Sequence, residues 1–288
     1  MDLFNKNLIF VGGKGGVGKT SISKAIARAL SEQNRSTLWT TFEDPTQTAG
    51  SLQKVSPYLW EFNCDASAAF EEYAQMKIGM APLTKIFLQN KVVRYLSKAA
   101  PGIHELVLLG KVWHERKNYE HVVVDMPSTG YGLAMFQSTR NFANLFKGGP
   151  IHRDAEAMLE TFADPKATGH LIVALPEEMP LRESIELRDF LAKLFPLNGA
   201  SFLVNRVFPK IEGNPEINPA PDAWPTPIPE NVTDYAQKRN LVETHNLRIW
   251  EEAGIAYEEV PFLAAEDFGS PLTIVPQITR QLTRASLV

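Results

Sequence analysis

A glycine-rich segment near the N-terminus constrains the fold of this chain more than any other feature. The segment, GKGGVGKT over Gly13–Thr20, lies between the apolar run Asn7–Val11 and the Ala- and Ile-rich stretch Thr20–Ser31. The first flank is typical of a buried strand and the second of a helix. Glycines let the connecting backbone curve with its N–H groups pointing inward, and a helix N-terminus favours negative charge. The spacing of the glycines and of the final Lys-Thr pair therefore predicts a phosphate-binding loop.

The other strands predicted from the sequence give the fold class. Further short apolar and β-branched runs occur at Ser36–Phe42, His121–Met126, His170–Leu175, Ala200–Val207 and Ala256–Phe262. Longer helical segments separate these runs, and strands that alternate with helices form parallel crossovers in one sheet. We therefore predict an α/β fold with a doubly wound, mostly parallel sheet in a single domain over residues 1–288. Residues 65–119 exceed what one crossover helix requires and predict a helical insertion.

The loop and the strand ends beside it supply the groups that a magnesium-bound nucleotide requires. Lys19 is placed to bridge the β- and γ-phosphates, and the Thr20 hydroxyl to bind Mg²⁺. Asp125 falls near the end of an apolar strand, where a carboxylate suits Mg²⁺ through a bound water. We predict ATP and Mg²⁺ as ligands, with Thr20 and Asp125 as the metal-binding residues. The predicted nucleotide contacts of the loop are Gly13, Gly15, Gly16, Val17, Gly18, Lys19, Thr20 and Ser21.

Two further charged residues have both a catalytic and an ordinary explanation. Lys14 need not point at the phosphates of its own subunit, so it either acts across a dimer or is an exposed lysine at the loop edge. Asp44 follows the second predicted strand and precedes Pro45, where it either orients the attacking water or forms a turn. We predict catalytic roles for Lys14, Lys19 and Asp44, and we predict a homodimer.

These motifs together resemble the ArsA-like branch of the deviant Walker A ATPases, which drive arsenite pumps and target tail-anchored membrane proteins. Besides the loop, the segments that carry the resemblance are Asp44-Pro45, Pro101–Ile103, Asp125–Gly130, Leu175–Glu177 and Val260–Leu263. The resemblance implies that Lys14 reaches the nucleotide of the partner subunit, that Asn205 reads the adenine edge and that Pro261 lines the base. It also implies an ATP hydrolase that couples its nucleotide state to binding of a protein client.

Two other functions stay open from the sequence. The chromosome-partitioning and septum-placing ATPases share Lys14 but lack the later segments, and a slow regulatory nucleotide switch would use the same loop. Cys64 is the only cysteine, so the chain lacks the CxxC zinc clamp of some targeting members and the several thiolates of an arsenite site. The segment Pro45–Gly50 lacks the His-Asn pair and the further aspartate usual in the ArsA-like branch.

The predicted insertion carries an apolar stripe that fits either a client groove or the protein core. In the targeting ATPases that the chain resembles, a methionine-bearing groove at this position holds a client helix. Stripes of this kind more often pack inside a protein. A client with a hydrophobic helix is therefore a candidate partner. The residues of the stripe are Phe70, Tyr73, Met76, Met80, Leu83, Ile86, Phe87 and Leu88.

Composition limits the partners and the location that we expect. The net charge of −4 gives no basic field that would attract nucleic acid. The sequence contains no run of about 18 apolar residues, so we predict no membrane-spanning helix. Because no secretory leader is visible, we expect a cytoplasmic protein. The proline-rich segment 208–230 predicts a stiff surface connection or a docking segment. The C-terminal segment 273–288 predicts a packed helix, with a peripheral membrane contact as the alternative.

Overall fold

The computed structural model describes residues 3–79, 102–196, 198–208, 230–263 and 274–284, without the side chains of 230–233 and 284. Among these residues, the strands are β1 (Leu8–Gly12), β2 (Thr37–Phe42), β3 (Leu52–Ser56), β4 (Leu59–Cys64), β5 (His121–Asp125), β6 (Thr168–Ala174), β7 (Ala200–Val207) and β8 (Glu258–Pro261). The helices are α1 (Lys19–Glu32), α2 (Ala66–Ile78), α3 (Ile103–Glu115), α4 (Thr129–Leu145), α5 (Gly149–Ala163), α6 (Glu178–Leu194), α7 (Glu230–Glu252) and α8 (Val275–Arg284).

The eight strands form one sheet in the order β3-β4-β2-β5-β1-β6-β7-β8. All neighbouring strands are parallel except β3 and β4, which form an antiparallel hairpin at one edge. The predicted α/β fold with a mostly parallel sheet is therefore confirmed. The sequence did not predict β3 or β4, because their apolar residues alternate with polar ones such as Lys54 and Glu61, unlike the continuous runs of strands covered on both faces.

Each face of the sheet packs against its own layer of helices. Successive side chains of a strand point to opposite faces, so Leu8 and Phe10 of β1 join one core while Ile9 and Val11 join the other. The first core includes buried residues of α3, α4, α5 and α6, and the second includes those of α1 and α8. This double cover explains why β1, β5 and β6 have apolar residues at consecutive positions.

The parallel strands direct several loops to one edge of the sheet. The carboxyl ends of β1, β2, β5 and β7 all lie at this edge, and ligands of open α/β sheets bind there. The loop Gly13–Gly18 follows β1, Asp44 follows β2, Asp125 ends β5, and Asn205 lies near the end of β7. The topology thus brings together residues that are up to 192 positions apart in the chain.

The described parts of the predicted insertion 65–119 are largely helical, with α2 and α3 in contact. Residues 80–101, including Met80 and the apolar positions from Leu83 to Leu88, lie outside the described residues, as does most of segment 208–230. The single domain and the bounds of the insertion therefore stay predictions. In the part of the chain that the structure describes, every helix is too short or too polar to cross a lipid bilayer.

The helix of the C-terminal segment packs against the first helix of the chain. Val275, Ile278 and Leu282 of α8 are buried, and Thr279 Oγ1 donates to the carbonyl oxygen of Ala25 in α1 at 3.3 Å. This arrangement agrees with the packed helix predicted from the sequence. Residues 285–288 lie outside the description.

Candidate nucleotide-binding site

The loop between β1 and α1 has the backbone shape of a phosphate cradle. Three of its glycines adopt positive φ angles, 142° at Gly13, 84° at Gly16 and 93° at Gly18, which other residues rarely adopt. A Cβ atom at Gly13 would overlap a carbonyl oxygen of β6, and one at Gly18 would overlap the side-chain amide of Asn205. Gly15 and Gly16 have no neighbouring atom within 4 Å of that position. The loop is therefore tightly fixed at its two ends and uncovered at its tip.

Lys19, Thr20 and Asp125 form one polar cluster below the loop. Lys19 Nζ donates to the carbonyl oxygen of Lys14 at 2.9 Å. Thr20 Oγ1 donates to Asp125 Oδ2 at 2.6 Å. Burial lowers the pKa of Lys19, and the charge of Asp125 partly opposes this effect. The two contacts connect the loop, the start of α1 and the end of β5.

The oxygen atoms of this cluster have the chemistry to hold magnesium. Asp125 is 7% exposed, and its Oδ1 has no hydrogen-bond partner among the described residues. The Thr129 hydroxyl, at the start of α4, is also buried without a partner in the described part of the chain. Burial raises the pKa of Asp125 to about 6, although the Thr20 hydrogen bond and the charge of Lys19 act against it. A carboxylate and a hydroxyl, completed by water and phosphate oxygens, suit Mg²⁺, so Thr20 and Asp125 fit their predicted role.

Asp44 lies in the loop after β2, and both of its carboxylate oxygens accept local hydrogen bonds. Oδ1 accepts from the Thr46 N–H at 2.8 Å and from the Thr46 hydroxyl at 2.7 Å, and Oδ2 accepts from Gln47 Nε2 at 3.0 Å. The hydrogen bonds from Thr46 are the main reason that the pKa of Asp44 lies below its ordinary value. This is the turn geometry that the sequence offered as the ordinary explanation. The lowered pKa keeps the carboxylate charged at neutral pH. Oδ2 accepts only one hydrogen bond, so it can accept another from a water molecule.

Lys14 does not point toward the cluster around Asp125 but pairs with α6. Its Nζ lies 2.5 Å from Glu183 Oε1, and its side chain is 37% exposed. Its backbone carbonyl, by contrast, accepts the hydrogen bond from Lys19. Lys14 thus belongs to the loop through its main chain while its charge is held at the surface.

Asn205 contacts the loop directly, whereas Pro261 lies farther along the sheet edge. Asn205 is 4% exposed, and its Nδ2 donates to the carbonyl oxygen of Val17 at 2.8 Å. Pro261 pairs with Val207 across β7 and β8 and is half-buried. Ser21 is half-buried in the first turn of α1. Reading of the adenine edge by Asn205 and lining of the base by Pro261 stay predictions.

A protein-family comparison matches the part of the chain that holds most of these groups. The family is the anion-transporting ATPases, and the match covers residues 6–148. That range includes the loop, Asp44 and Asp125. These 143 residues, just under half of the chain, match the ArsA-like ATPases. The match confirms the resemblance that the sequence motifs indicated.

Similar curated proteins agree with this assignment. The chain is 29% identical over 225 residues to ATPase BagA of Mycobacterium tuberculosis, and this match covers 70% of the chain and 65% of that relative. It is 26% identical over 246 residues to the putative arsenical pump-driving ATPase 2 of Aquifex aeolicus, covering 70% of the chain and 81% of that relative. It is 27% identical over 242 residues to an ATPase ASNA1 homolog of Cryptosporidium parvum, covering 69% of the chain and 64% of that relative.

Relatives of this kind favour the arsenite-pump and ASNA1 branch over the partitioning and septum-placing ATPases. The matched part of the chain spans 65% of the mycobacterial relative, which is less than two thirds. What the longer relatives bind or act on is therefore not carried over to this chain as a finding.

Two residues of the chain support the site without being apparent from the sequence motifs. Asn63 is 1% exposed in β4, where its Oδ1 accepts from the Asp44 N–H at 2.9 Å and its Nδ2 donates to the Asp44 carbonyl oxygen at 3.0 Å. Lys24 lies one turn after Thr20 and pairs with Glu61 at 2.9 Å. Its charge contributes to the lowered pKa of Asp44 and partly opposes the rise in the pKa of Asp125 that burial causes. A lysine four residues after the loop threonine was the only sequence signal for either of them.

Replacing Asp125 by Asn tests the cost of burying this carboxyl in the folded chain. The pKa of Asp125 is higher in the folded chain, at about 6 against an ordinary 3.8, so the folded state binds the proton more tightly. The free energy of unfolding therefore decreases as the pH rises through this interval. We expect Asp125→Asn to stabilise the ligand-free protein by about 2 to 3 kcal/mol at pH 7.5 and to have little effect at pH 4.

Denaturant unfolding in a metal chelator, at both pH values, measures this difference. Adding Mg²⁺ and ATP should stabilise the wild type but not the Asp125→Asn variant. Equal destabilisation by the substitution at both pH values would contradict the burial argument.

Proposed function

We propose that this protein is a magnesium-dependent ATP hydrolase that works as a homodimer and couples its nucleotide state to binding of a protein client. The observation that carries the proposal is the cluster of Lys19, Thr20 and Asp125 below a loop with the shape of a phosphate cradle. The match of residues 6–148 to the ArsA-like family supports ATP as the nucleotide. In this protein the partners and the client remain part of the proposal.

Each residue of the site has a role in the proposed reaction. The N–H groups of the loop and the Lys19 ammonium bind the β- and γ-phosphates, and Thr20 and Asp125 hold Mg²⁺. When bound, Mg²⁺ neutralises part of the charge on the phosphate oxygens. Asp44 orients the water that attacks the γ-phosphate, and Asn63 holds the backbone of Asp44 in place. Phosphoryl transfer depends mainly on this positioning and on charge stabilisation.

The position of Lys14 supports a dimeric reaction. Its ammonium is held by Glu183 and partly exposed, so within one subunit it adds no positive charge to the phosphate cluster. A lysine at the loop edge can instead reach the nucleotide of a second copy that approaches this face. Delivery of this cation on dimer closure would couple turnover to assembly.

An apolar cavity beside the sheet supports the client part of the proposal. Its volume is about 240 Å³, and it lies among α2, α3, α4 and α5. Phe70, Tyr73 and Met76 of the predicted stripe line it together with Met158 of α5. The Tyr73 hydroxyl donates to Asp154 Oδ2 at 2.9 Å at its rim. An apolar floor with a polar rim suits one face of an amphipathic helix.

Steady-state assays test the enzymatic half of the proposal. We expect the wild type to release phosphate from ATP only with Mg²⁺, and we expect the Lys19→Ala variant to lose turnover because it lacks the ammonium between the phosphates. Photo-crosslinking to a hydrophobic helical peptide, with ATP or ADP, tests the client half. Equal phosphate release by the wild type and Lys19→Ala would contradict the proposed hydrolysis. Crosslinking that is the same in ATP and in ADP would contradict the proposed client binding.

A further inference from the structure

The first turn of α3 contacts the loop that carries Asp44. His104 Nε2 lies 2.9 Å from Glu43 Oε2, and opposite a carboxylate this nitrogen carries the proton and donates it. The other oxygen, Oε1, accepts from the N–H of Ala66 at the start of α2, at 3.4 Å. The Glu43 side chain thus joins the first turns of two helices that line the cavity.

The backbone of Glu43 is in a conformation that needs such support. Its φ angle is 50°, which is uncommon for a residue other than glycine. Strained angles of this kind persist where surrounding contacts fix them. Because Glu43 directly precedes Asp44, this angle sets the direction in which the next residue leaves β2. The contact with His104 is therefore one of the restraints on the position of Asp44.

The same turn of α3 also approaches the segment that follows Asp125. Burial and the nearby charges of Glu105 and Glu43 raise the pKa of Tyr131, in the first turn of α4, to about 12. Just before α3, Gly102 adopts a φ of 85°, and a Cβ atom there would come within 2.8 Å of Ser138 Oγ in α4. The start of α3 therefore lies against the loop that carries Asp44 and against α4, the helix that follows Asp125.

The rest of α3 lines the cavity. Ile103, Leu106, Val107 and Gly110 contribute to its wall. Leu108, Leu109 and Val112, on the opposite side of the helix, are buried in the core. Because the core holds α3 as one rigid element, a displacement at its first turn reaches the wall of the cavity.

We propose that His104 is a positioning residue for Asp44, acting through Glu43, and that this contact links the nucleotide site to the cavity. The inference rests on the proposed ATP hydrolysis. His104 touches neither the phosphate loop nor Asp125 in the contacts of the described residues. It acts on turnover through the orientation of the water-binding carboxylate, and on the cavity through α3.

Turnover of three variants tests the positioning role. We expect His104→Ala to lower kcat about tenfold and to leave KM for ATP within about twofold, since displacement of a positioning group by about 1 Å is enough for such losses. His104→Gln keeps a donor toward Glu43 and should restore most of the lost kcat. The double variant His104→Ala/Glu43→Ala should be no slower than the slower single variant. His245→Ala, at an exposed site on α7, is the matched control.

A fluorescent label tests the link to the cavity. Cys64 is the only cysteine and is buried, so an environment-sensitive dye attached to Met76→Cys reports on the cavity alone. We expect the emission to differ between ATP and ADP, and we expect His104→Ala to reduce that difference at least twofold.

The outcomes separate this inference from the proposed function. A wild type without turnover would overturn both. A wild type with turnover beside a His104→Ala variant of unchanged kcat would overturn the positioning role alone, as would a failure of His104→Gln to restore kcat. The link would be overturned if the emission of the dye were the same in ATP and in ADP. It would also be overturned if the emission difference between ATP and ADP were as large in His104→Ala as in the wild type. His104 is 45% exposed at its side chain, so substitution should leave the unfolding temperature unchanged.

Discussion

Lys14→Ala should lower kcat for ATP hydrolysis about 10³-fold, the size of effect that a cation supplied by a second subunit has in phosphoryl transfer. In the isolated subunit Lys14 Nζ pairs with Glu183 rather than with the residues around Asp125. Its removal should therefore leave ATP binding to one subunit nearly intact. Single-turnover kinetics measure the loss of hydrolysis, and nucleotide binding by fluorescence anisotropy measures what remains.

The same substitution should weaken assembly. If Lys14 crosses to the partner nucleotide, light scattering in ATP should show a dimer for the wild type and a monomer for Lys14→Ala at equal concentration. Glu183→Gln is the matched control, because it frees Lys14 without removing it. We expect this control to hydrolyse ATP at least as fast as the wild type. A Lys14→Ala protein with unchanged turnover would exclude the role in trans, and slow Glu183→Gln turnover would place the function of Lys14 in the ion pair instead.

What the sequence predicted correctly depends mostly on local patterns. The strand, loop and helix around Gly13–Thr20 follow from a fixed spacing of glycines between two apolar segments, and the structure has these elements within a few residues of the predicted bounds. The parallel sheet follows from apolar runs such as Val122–Val124, which are covered on both faces. Each of these signals lies within a window of about 20 residues.

What the sequence did not predict depends on contacts between distant residues. Asn63 and Asp44 are 19 positions apart, His104 and Glu43 are 61 apart, and Lys14 and Glu183 are 169 apart. A polar residue carries no mark of its partner when the partner lies on another element. Only the register of β2 with β4 places Asn63 beside the loop after β2. Hydrogen bonds that orient a candidate catalytic group are therefore visible only in the folded chain.

The contacts of Asp44 leave its carboxylate able to accept one more hydrogen bond. Oδ1 accepts twice from Thr46 and Oδ2 accepts once from Gln47, so Oδ2 can still accept a hydrogen bond from water. Catalytic hydrogen bonds often align only in the complex with substrate.

Asp44→Asn should lower kcat about 10²-fold or more while leaving KM for ATP within about twofold, since removal of a water-orienting or proton-accepting group typically costs this much. The amide keeps an acceptor for Thr46, so the fold of the loop should be preserved and the loss should be chemical. Thr46→Val is the matched control, because it removes the Thr46 hydroxyl and keeps the Asp44 carboxylate. Thr46→Val should lower kcat less than Asp44→Asn does. It should also raise the pKa of Asp44 toward its ordinary value, because the Thr46 hydroxyl no longer donates to the carboxylate. Pre-steady-state phosphate release from both variants decides between the two explanations of Asp44. Equal losses of kcat would make Asp44 a turn residue. A much larger loss of kcat in Asp44→Asn would show that its carboxylate orients the attacking water.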